Sequence, residues 1–445
     1  MAKRPNIIFI VADDLGFADL GCYGGRPAKF GAVSPALDTL AANGIRFTHG
    51  YSNSPVCSPT RFALMTARYQ YRLRGAAEEP INSKSRGSTT LGLPADHPTM
   101  PSLLKQAGYR TGLVGKWHLG YPPTFGPLRS GYDEFFGPMS GGVDYWTHCS
   151  SNGQHDLGNG CEEKAEEGYL TDLLSKRAVD FVERMAARNR SSEGEAPFFL
   201  SLHYTAPHWP WETRDDEALA QEVKQNLFHL HGGNIHTYHR MIHHMDEGIG
   251  WVMDALRKHG LADDTLVIFT SDNGGERFSD NWPLVGGKMD LTEGGIRVPW
   301  IAHWPAQIPP GQVSAQQCMT MDWSTTVIAA AGATAAAAYP LDGVSLLPVL
   351  RDATHSFARP LHWRMNHRGQ RALRDGDWKY LRVDGHDYLF NIPADERERA
   401  NLAGRDPDRL TAMRDAWESW NTTMPAIPED ATVSLGYSAR DMPQR

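Results

Sequence analysis

A short polar segment, Cys57-Ser58-Pro59-Thr60-Arg61, holds the residues whose types and spacing most favour chemistry. Proline is tolerated in the first turn of a helix, where its missing N–H has no partner to lose, so Cys57 is predicted at or just before a helix N-terminus. Free backbone N–H groups and the helix dipole stabilise an anion there. Arg61, one turn further on, adds a permanent positive charge. The segment therefore predicts a nucleophile beside an anion site, or else a buried structural thiol, as most free cysteines are.

Oxygen-bearing side chains follow two predicted strands. Residues 6–11 form a continuous apolar run typical of a strand buried on both faces, and Asp13 and Asp14 come directly after it. Residues 265–270 form a second predicted strand, which leads to Asp272 and Asn273. In open α/β sheets ligands bind at the carboxyl ends of the strands. Either pair alone also fits a turn, but together they are the ligands that a hard divalent cation prefers.

Further candidate residues carry a positive charge or an imidazole. In chain order they are Lys116, His118, His208 and Lys288. The first two follow a predicted strand at 109–114, the third follows a predicted strand at 197–204, and the last lies in a glycine-rich turn. A lysine at a strand end is usually solvated and a lone histidine is usually structural, so these residues gain meaning only from the motifs around them.

Two motifs resemble signatures of a known family. The Cys-x-Pro-x-Arg spacing is similar to that of the type I sulfatases, in which the cysteine is oxidised after translation to formylglycine. The stretch at 108–120 resembles the second sulfatase signature. With the acidic pairs, these motifs make nearly the full length of the chain resemble a formylglycine-dependent, arylsulfatase-like sulfatase of the alkaline phosphatase superfamily. One departure is Ala67, where the family usually has glycine after Thr66.

The resemblance implies a role for each candidate residue. One calcium ion, or magnesium in its place, would be bound by Asp13, Asp14, Cys57, Asp272 and Asn273. The sulfate would be surrounded by Cys57, Arg61, Lys116, His118, His208 and Lys288. One hydroxyl of a gem-diol at position 57 would attack sulfur, and His208 would protonate the leaving oxygen. His118 would act as base when the second hydroxyl expels sulfate.

Other functions stay open at this stage. A phosphate or phosphonate monoester hydrolase of the same superfamily would share the fold, but resemblance to those enzymes would favour Asp-His in place of Asp272-Asn273. A cysteine hydrolase would use a Cys57 thiolate with His118 or His208, which leaves the acidic pairs without a purpose. A noncatalytic binder of sulfate esters would result if Cys57 stayed a thiol. Aryl and carbohydrate sulfates are both allowed as substrates.

The fold expected is α/β. At 445 residues the chain exceeds a single typical core. The resemblance implies a large mixed, mostly parallel sheet flanked by helices, as in alkaline phosphatase, and a smaller C-terminal antiparallel sheet that includes 373–381 and 387–391. Residues 1–355 are predicted as the catalytic domain and 356–445 as a C-terminal subdomain with the small sheet and a helix. Amphipathic helices are predicted at 169–188 and 235–260.

Two long segments are predicted to border the site. Residues 73–97 are rich in glycine, serine and charge, which favours a surface excursion beside a pocket. Residues 122–161 are dense in glycine and aromatic residues, which favours an ordered loop facing the substrate. Three tryptophans could stack on a sugar or aryl ring, or could belong to the core and rim. They are Trp146, Trp209 and Trp211.

Charge and cysteine usage limit the partners. The net charge of −8 and the pI near 6.2 give no case for nucleic acid or an anionic membrane, and no apolar run approaches the ~18 residues of a spanning helix. We expect a cytoplasmic protein, or a periplasmic or secreted one if a signal was removed. The five scattered cysteines do not resemble a disulfide framework, although Cys149 and Cys161 could pair. The partners expected are a sulfate ester and, during maturation, a formylglycine-generating enzyme, and the oligomeric state stays open.

Overall fold

In a computed structural model, the residues described are 4–25, 30–160, 162–190, 196–223, 227 and 232–435. The strands are β1 (Asn6–Ala12), β2 (Ile45–Phe47), β3 (Gly50–Tyr51), β4 (Arg110–Gly115), β5 (Glu134–Pro138), β6 (Leu157–Asn159), β7 (Glu162–Glu163), β8 (Phe198–His203), β9 (Thr265–Ser271), β10 (Trp300–His303), β11 (Gln312–Ser314), β12 (Cys318–Met319), β13 (Leu361–Arg364), β14 (Arg371–Asp375), β15 (Trp378–Val383) and β16 (His386–Asn391). The α-helices are α1 (Pro35–Ala42), α2 (Cys57–Thr66), α3 (Met100–Gln106), α4 (Leu170–Asn189), α5 (Glu217–Val223), α6 (Ile235–Lys258), α7 (Glu293–Ile296), α8 (Thr320–Ala330), α9 (Leu347–Arg351) and α10 (Pro407–Asn421).

A ten-stranded mixed sheet forms the centre of the molecule, in the order β11-β2-β10-β9-β1-β8-β4-β5-β6-β7. The five strands from β9 to β5 run parallel to one another, whereas β10 joins β9, and β6 joins β5, in antiparallel fashion. Every residue of β1 is buried, as expected of a strand covered on both faces. The carboxyl ends of the parallel strands therefore lie along one edge of the sheet.

Helices cover both faces of this sheet. Successive side chains of a strand point to opposite faces, and β1 accordingly divides its apolar residues between two core clusters. Ile8 and Ile10 pack with α1, α4 and α6, whereas Ile7 and Phe9 pack with α2, α3 and α8. The result is a three-layer α/β arrangement. The helix that begins at Cys57 thus lies on the face opposite α4 and α6.

A separate four-stranded antiparallel sheet, in the order β13-β14-β15-β16, lies in the C-terminal part of the chain. Asp384 and Gly385 make the two-residue turn between β15 and β16, and both have positive φ, as an Asp-Gly hairpin turn requires. One face packs on α10 through Trp417, and Leu381 on the other face joins the main core. The predicted large sheet with a small C-terminal antiparallel sheet is confirmed. The division at residue 355 stays a prediction.

The segment at 122–161 differs from the expectation. It contains β5 and β6, which extend the central sheet, and its aromatic side chains Tyr132, Phe135, Phe136 and Tyr145 are buried in the core. The sequence predicted an ordered loop facing the substrate; these four side chains instead pack in the core, and strands that extend a sheet commonly use their large apolar side chains in this way. None of the described helices is long and apolar enough to cross a membrane.

Candidate active site

The candidate residues converge because four neighbouring strands end at the same edge. Ala12 of β1 is in register with Ser271 of β9, so the residue pairs that follow, Asp13-Asp14 and Asp272-Asn273, lie side by side. On the other side of β1, Val11 is in register with His203 of β8, and His203 is in register with the last residue of β4. The segments that carry His208 and Lys116 therefore start beside the acidic pairs.

Cys57 is the first residue of α2, and Val56 is the N-cap. Pro59 lies in the first turn, as predicted, and every residue of the helix is buried. The helix ends at Ala67, whose φ of 54° lies in the left-handed region that glycine adopts most easily. The alanine here adopts this conformation without the help of a glycine.

Arg61 connects the helix to both acidic pairs. Its Nη2 lies 2.9 Å from Asp272 Oδ2 and 3.9 Å from Asp13 Oδ2, and its Nε donates to Asp272 Oδ2 at 3.0 Å. Its Nη1 donates to the carbonyl of Lys116 at 3.1 Å. Burial opposes the charged form, but the charges of Asp272 and Asp13 raise the pKa of Arg61 above its usual range. Arg61 is therefore a fixed cation that joins α2 to the strand ends.

Each of the two lysines binds one aspartate. Lys116 Nζ lies 2.5 Å from Asp13 Oδ2, and Lys288 Nζ lies 2.7 Å from Asp14 Oδ2. Asn273 Nδ2 donates to Asp14 Oδ1 at 2.7 Å. All five side chains are buried. The site therefore places two buried ammonium groups directly beside the carboxylates.

The acidic residues fit a divalent cation. Oxygen or sulfur ligand atoms of Asp13, Cys57 and Asp272 lie within 4.8 Å of one another, as do ligand atoms of Asp13, Asp14 and His208. Asp13 Oδ1 and Asn273 Oδ1 are buried with no hydrogen-bond partner among the described residues, which is costly unless another group satisfies them. Burial and then the charge of Asp272 raise the pKa of Asp13 to about 8. A bound cation would satisfy both orphaned oxygens and offset the crowded negative charge.

The pKa values of the other groups follow from burial. Burial raises the pKa of the Cys57 thiol, although Lys116 and Lys288 act against the rise. A neutral buried thiol is a poor nucleophile, which disfavours the cysteine-hydrolase alternative. Burial would also raise the pKa of Asp14, but Lys288 and His208 outweigh it and hold that pKa at about 2. Asp14 is therefore a carboxylate at neutral pH.

The two histidines are hydrogen-bonded to backbone carbonyls through different ring nitrogens. His118 Nε2 lies 2.7 Å from the carbonyl of Ile81 and so carries the proton, which leaves the buried Nδ1 as an acceptor with no partner in the described part of the chain. His208 Nδ1 lies 2.6 Å from the carbonyl of Trp209, so its Nε2 faces Asp14 Oδ2 at 3.6 Å. Burial lowers the pKa of both rings well below the usual range, and the nearest lysine charge adds to the effect.

Two adjacent glycines lie against these rings. A Cβ on Gly141 would come 2.4 Å from His118 Cε1, and a Cβ on Gly142 would come 3.1 Å from His208 Cε1. The predicted loop at 122–161 thus borders the site with glycine backbone rather than with aromatic side chains. Sequence reasoning noted its glycine content but did not identify these two positions, which the Gly-Gly pair could have signalled.

A cavity of about 690 Å³ opens from Cys57, His118 and His208. Parts of the predicted 73–97 excursion line it, and so does a C-terminal segment that sequence reasoning missed. Among its lining residues are polar uncharged side chains that suit hydroxyl-bearing ligands. They are Asn82, Ser83, Ser85, Thr90, Ser140, Ser151, Thr432 and Ser434. The cavity volume lies within the range typical of small-molecule sites.

The structure brings the predicted site residues together at this one place. Of the three tryptophans, Trp209 lines the cavity, Trp211 packs against Phe278, and Trp146 donates from Nε1 to the carbonyl of Thr213. His203 was not predicted, although it ends a strand, and its Nδ1 lies 3.4 Å from Arg61 Nη1. The suggested pairing of Cys149 with Cys161 falls on a residue outside those described.

Comparisons with known proteins agree with this geometry. A family model described as Sulfatase matches residues 5–333. Human N-acetylgalactosamine-6-sulfatase is 35% identical over 370 residues, which cover 78% of this chain and 66% of that protein, so the chain spans about two thirds of its length. Human arylsulfatase A is 31% identical over 447 residues, which cover 95% of this chain and 84% of that protein.

Solved structures show the same similarity. The crystal structure of Ps i-CgsB in complex with k-i-k-neocarrahexaose has a TM-score of 0.82 and 33% sequence identity, and the match covers 99% of this chain and 96% of that one. The family model covers well over half of the chain, and the residues that it spans include both acidic pairs, Cys57 and both lysines. The chain therefore belongs to the sulfatase family, a family of sulfuric ester hydrolases.

Proposed function

We propose that this chain hydrolyses sulfate monoesters of carbohydrates or aryl alcohols, with formylglycine at position 57 and one calcium ion. The observation that carries the proposal is the pairing of a buried cation cluster with orphaned oxygen ligands around the N-terminus of α2. Arg61, Lys116 and Lys288 would supply fixed positive charge for a sulfate. Asp13 Oδ1 and Asn273 Oδ1, which lack hydrogen-bond partners among the described residues, would serve as metal ligands.

The roles of the chain's own groups follow from their contacts. Calcium would supply a positive charge beside residue 57, and formylglycine would supply there a hydrated aldehyde in place of the unreactive thiol. Lys116 and Lys288 would place positive charge beside the sulfate oxygens, where negative charge accumulates during reaction. Because each ammonium group is already bound to an aspartate, both are held in place before substrate arrives.

The histidines divide the proton transfers. His208 Nε2 lies 3.6 Å from Asp14 Oδ2. Burial keeps the ring neutral with its proton on Nδ1, so Nε2 would first take up a proton, a change that the Asp14 carboxylate favours, and would then pass it to the leaving oxygen. His118 Nδ1 lacks a partner among the described residues and can accept a proton when sulfate leaves residue 57. The low pKa of the His118 ring suits a base that has to be neutral at the start of the cycle.

The substrate class rests on the cavity and on the names of the relatives. Hydroxyl and amide side chains around the cavity suit the hydroxyl groups of a sugar. One relative is named for a sulfated amino sugar and another for aryl sulfates. We therefore expect a sugar carrying a sulfate ester to be the better substrate and a simple aryl sulfate to be accepted.

The test is a substrate panel with enzyme co-expressed with a formylglycine-generating enzyme. The panel contains 4-nitrophenyl sulfate, 4-nitrophenyl phosphate, N-acetylgalactosamine 6-sulfate and tetrasaccharides sulfated on the terminal sugar. We expect sulfate release that chelation abolishes and calcium restores, together with formylglycine at position 57 in peptide mass spectra. Preferential cleavage of the phosphate would support the phosphatase alternative instead. Full activity with an unmodified Cys57 would refute the role given to that residue.

A further inference from the structure

The C-terminal segment at 430–435 lines the active-site cavity, although it lies more than 350 residues from Cys57 in the chain. Its backbone is paired with the loop that carries Glu79. Val433 forms a parallel bridge with Glu79, the Glu79 N–H donates to the Thr432 carbonyl at 2.9 Å, and the Ser434 N–H donates to the Glu79 carbonyl at 2.9 Å. The segment is therefore fixed beside the cavity as a short extended strand.

Side chains anchor the same segment. Glu78 accepts hydrogen bonds from the Thr432 N–H, at 3.2 Å, and from the Thr432 hydroxyl. Arg74 bridges the two parts of the chain, at 2.7 Å from Glu78 and 3.0 Å from Asp430. The Ser434 hydroxyl donates to the Pro80 carbonyl at 2.7 Å. The polar side chains at 432 and 434 are thus engaged with the 74–80 loop.

The side chains at alternate positions are apolar. Successive residues of an extended segment point in opposite directions, so Val433 and Leu435 point away from the anchoring contacts. Both line the cavity, and Val433 is 37% exposed whereas Leu435 is 9% exposed and joins the core. Ile81 and Leu91 also line this cavity. The segment therefore presents the Val433 side chain to a ligand whose sulfate lies at Cys57, while Leu435 packs in the core behind it.

We propose that residues 430–435 form a specificity wall that receives the C–H face of the sugar unit next to the sulfated one. The inference rests on the proposed function and deepens it, because it identifies where the organic part of the substrate binds. Sugar rings combine hydroxyl edges with apolar C–H faces, and the cavity offers both kinds of surface. A small aryl sulfate carries no second sugar unit, so it should depend less on this wall.

The test compares two substrates on Val433→Trp, which fills the space above the wall. The readout is the ratio of kcat/KM for the best-cleaved sulfated tetrasaccharide of the panel to kcat/KM for 4-nitrophenyl sulfate. We expect this ratio to fall at least about tenfold, since pocket contacts of this size discriminate by about 10–200-fold. Val344→Trp is the matched control, because Val344 is 38% exposed and does not line the cavity. Its ratio should stay at the wild-type value.

A second variant separates the loss of apolar contact from the effect of added side-chain volume. Val433→Ser removes apolar surface without adding volume, and we expect the ratio to fall about threefold to tenfold through a higher KM for the saccharide. An unchanged ratio in both Val433 variants would overturn the inference while leaving the proposed function intact. A wild-type enzyme that cleaves aryl but not saccharide sulfates would also overturn it. A wild-type enzyme that cleaves no sulfate ester would refute the proposed function itself.

Discussion

Lys379, on β15 of the C-terminal sheet, is expected to hold that sheet against the sulfatase core, and Lys379→Met tests this. Its ammonium lies 3.0 Å from Glu293 Oε1 and 2.8 Å from Glu398 Oε1, and all three side chains are buried. Removing the cation leaves two neighbouring carboxyl groups without its charge between them. Breaking a buried ion pair in this way costs about 3–5 kcal/mol. We expect the variant to lose about that much free energy of unfolding at pH 8.

The loss should depend on pH. Burial raises the pKa of Glu398 to about 7, with Lys379 opposing the rise and Glu293 adding to it. The folded protein keeps a proton that the unfolded chain releases near pH 4.5, so this contribution to stability is full below 4.5 and is lost as pH rises through 7. Without Lys379 the pKa of Glu398 rises further. The difference in free energy of unfolding between variant and wild type (the stability gap) should therefore grow by at least about 1 kcal/mol from pH 5.5 to pH 8.

Urea unfolding followed by circular dichroism at both pH values measures this gap. Lys105→Met is the control, because Lys105 is half exposed and its pair with Asp133 lies at the surface, where such pairs contribute about 0–1 kcal/mol. Adding Glu398→Gln to the Lys379 variant removes one of the two carboxylates that lack a cation and should restore at least about 1 kcal/mol of the free energy of unfolding. A loss for Lys379→Met below about 1 kcal/mol, or one equal at both pH values, would refute the reasoning.

Three further predictions concern the site. Cys57→Ser keeps one hydroxyl but no group to expel sulfate, so it should release at most one leaving group per site and retain a covalent sulfate by mass spectrometry; steady turnover would contradict this. Asn273→Ala removes an oxygen ligand and should weaken calcium binding at least about tenfold by titration calorimetry; unchanged affinity would exclude Asn273 as a ligand. Gly141→Ala should displace the His118 ring and lower kcat about 10–100-fold without changing the free energy of unfolding. Gly404→Ala is the control, because its Cβ meets nothing within 4 Å, and its kcat should match that of the wild type. Equal kcat values for the two variants would contradict the prediction.

The convergence of the acidic pairs could be predicted from the sequence. Residues 6–11 and 265–270 are apolar runs of strand length, and in the structure both strands run parallel with their ends in register. Parallel neighbours in an open sheet bring the residues that follow them to one edge. Asp13 and Asp272 lie side by side because β1 and β9 are also neighbours in register, which the structure shows and the sequence pattern does not.

Other features depend on contacts that no local pattern contains. The specificity wall needs Thr432 to meet Glu78, 354 residues away in the chain, and the buried ion pair needs Lys379 to meet Glu293, 86 residues away. Local reasoning also failed for Tyr132 and its neighbours, since a glycine-rich stretch with aromatic residues fits an open loop as well as a sheet edge. Glycine marks close backbone approach, but only the fold shows that His118 is the partner of Gly141.

The complete burial of α2 has a consequence for how active protein is produced. Cys57 and Arg61 are each 1% exposed, and Pro59 is buried between them. The proposed oxidation of position 57 would require an enzyme to bind this segment in an accessible form, and burial of the helix in the folded molecule would oppose that binding. Folding and the proposed oxidation would therefore compete for the same residues, and their relative rates would decide how many molecules are oxidised before they fold. Molecules that fold first would keep their thiol, so the fraction of active protein would depend on how long the segment stays accessible rather than on the stability of the finished fold.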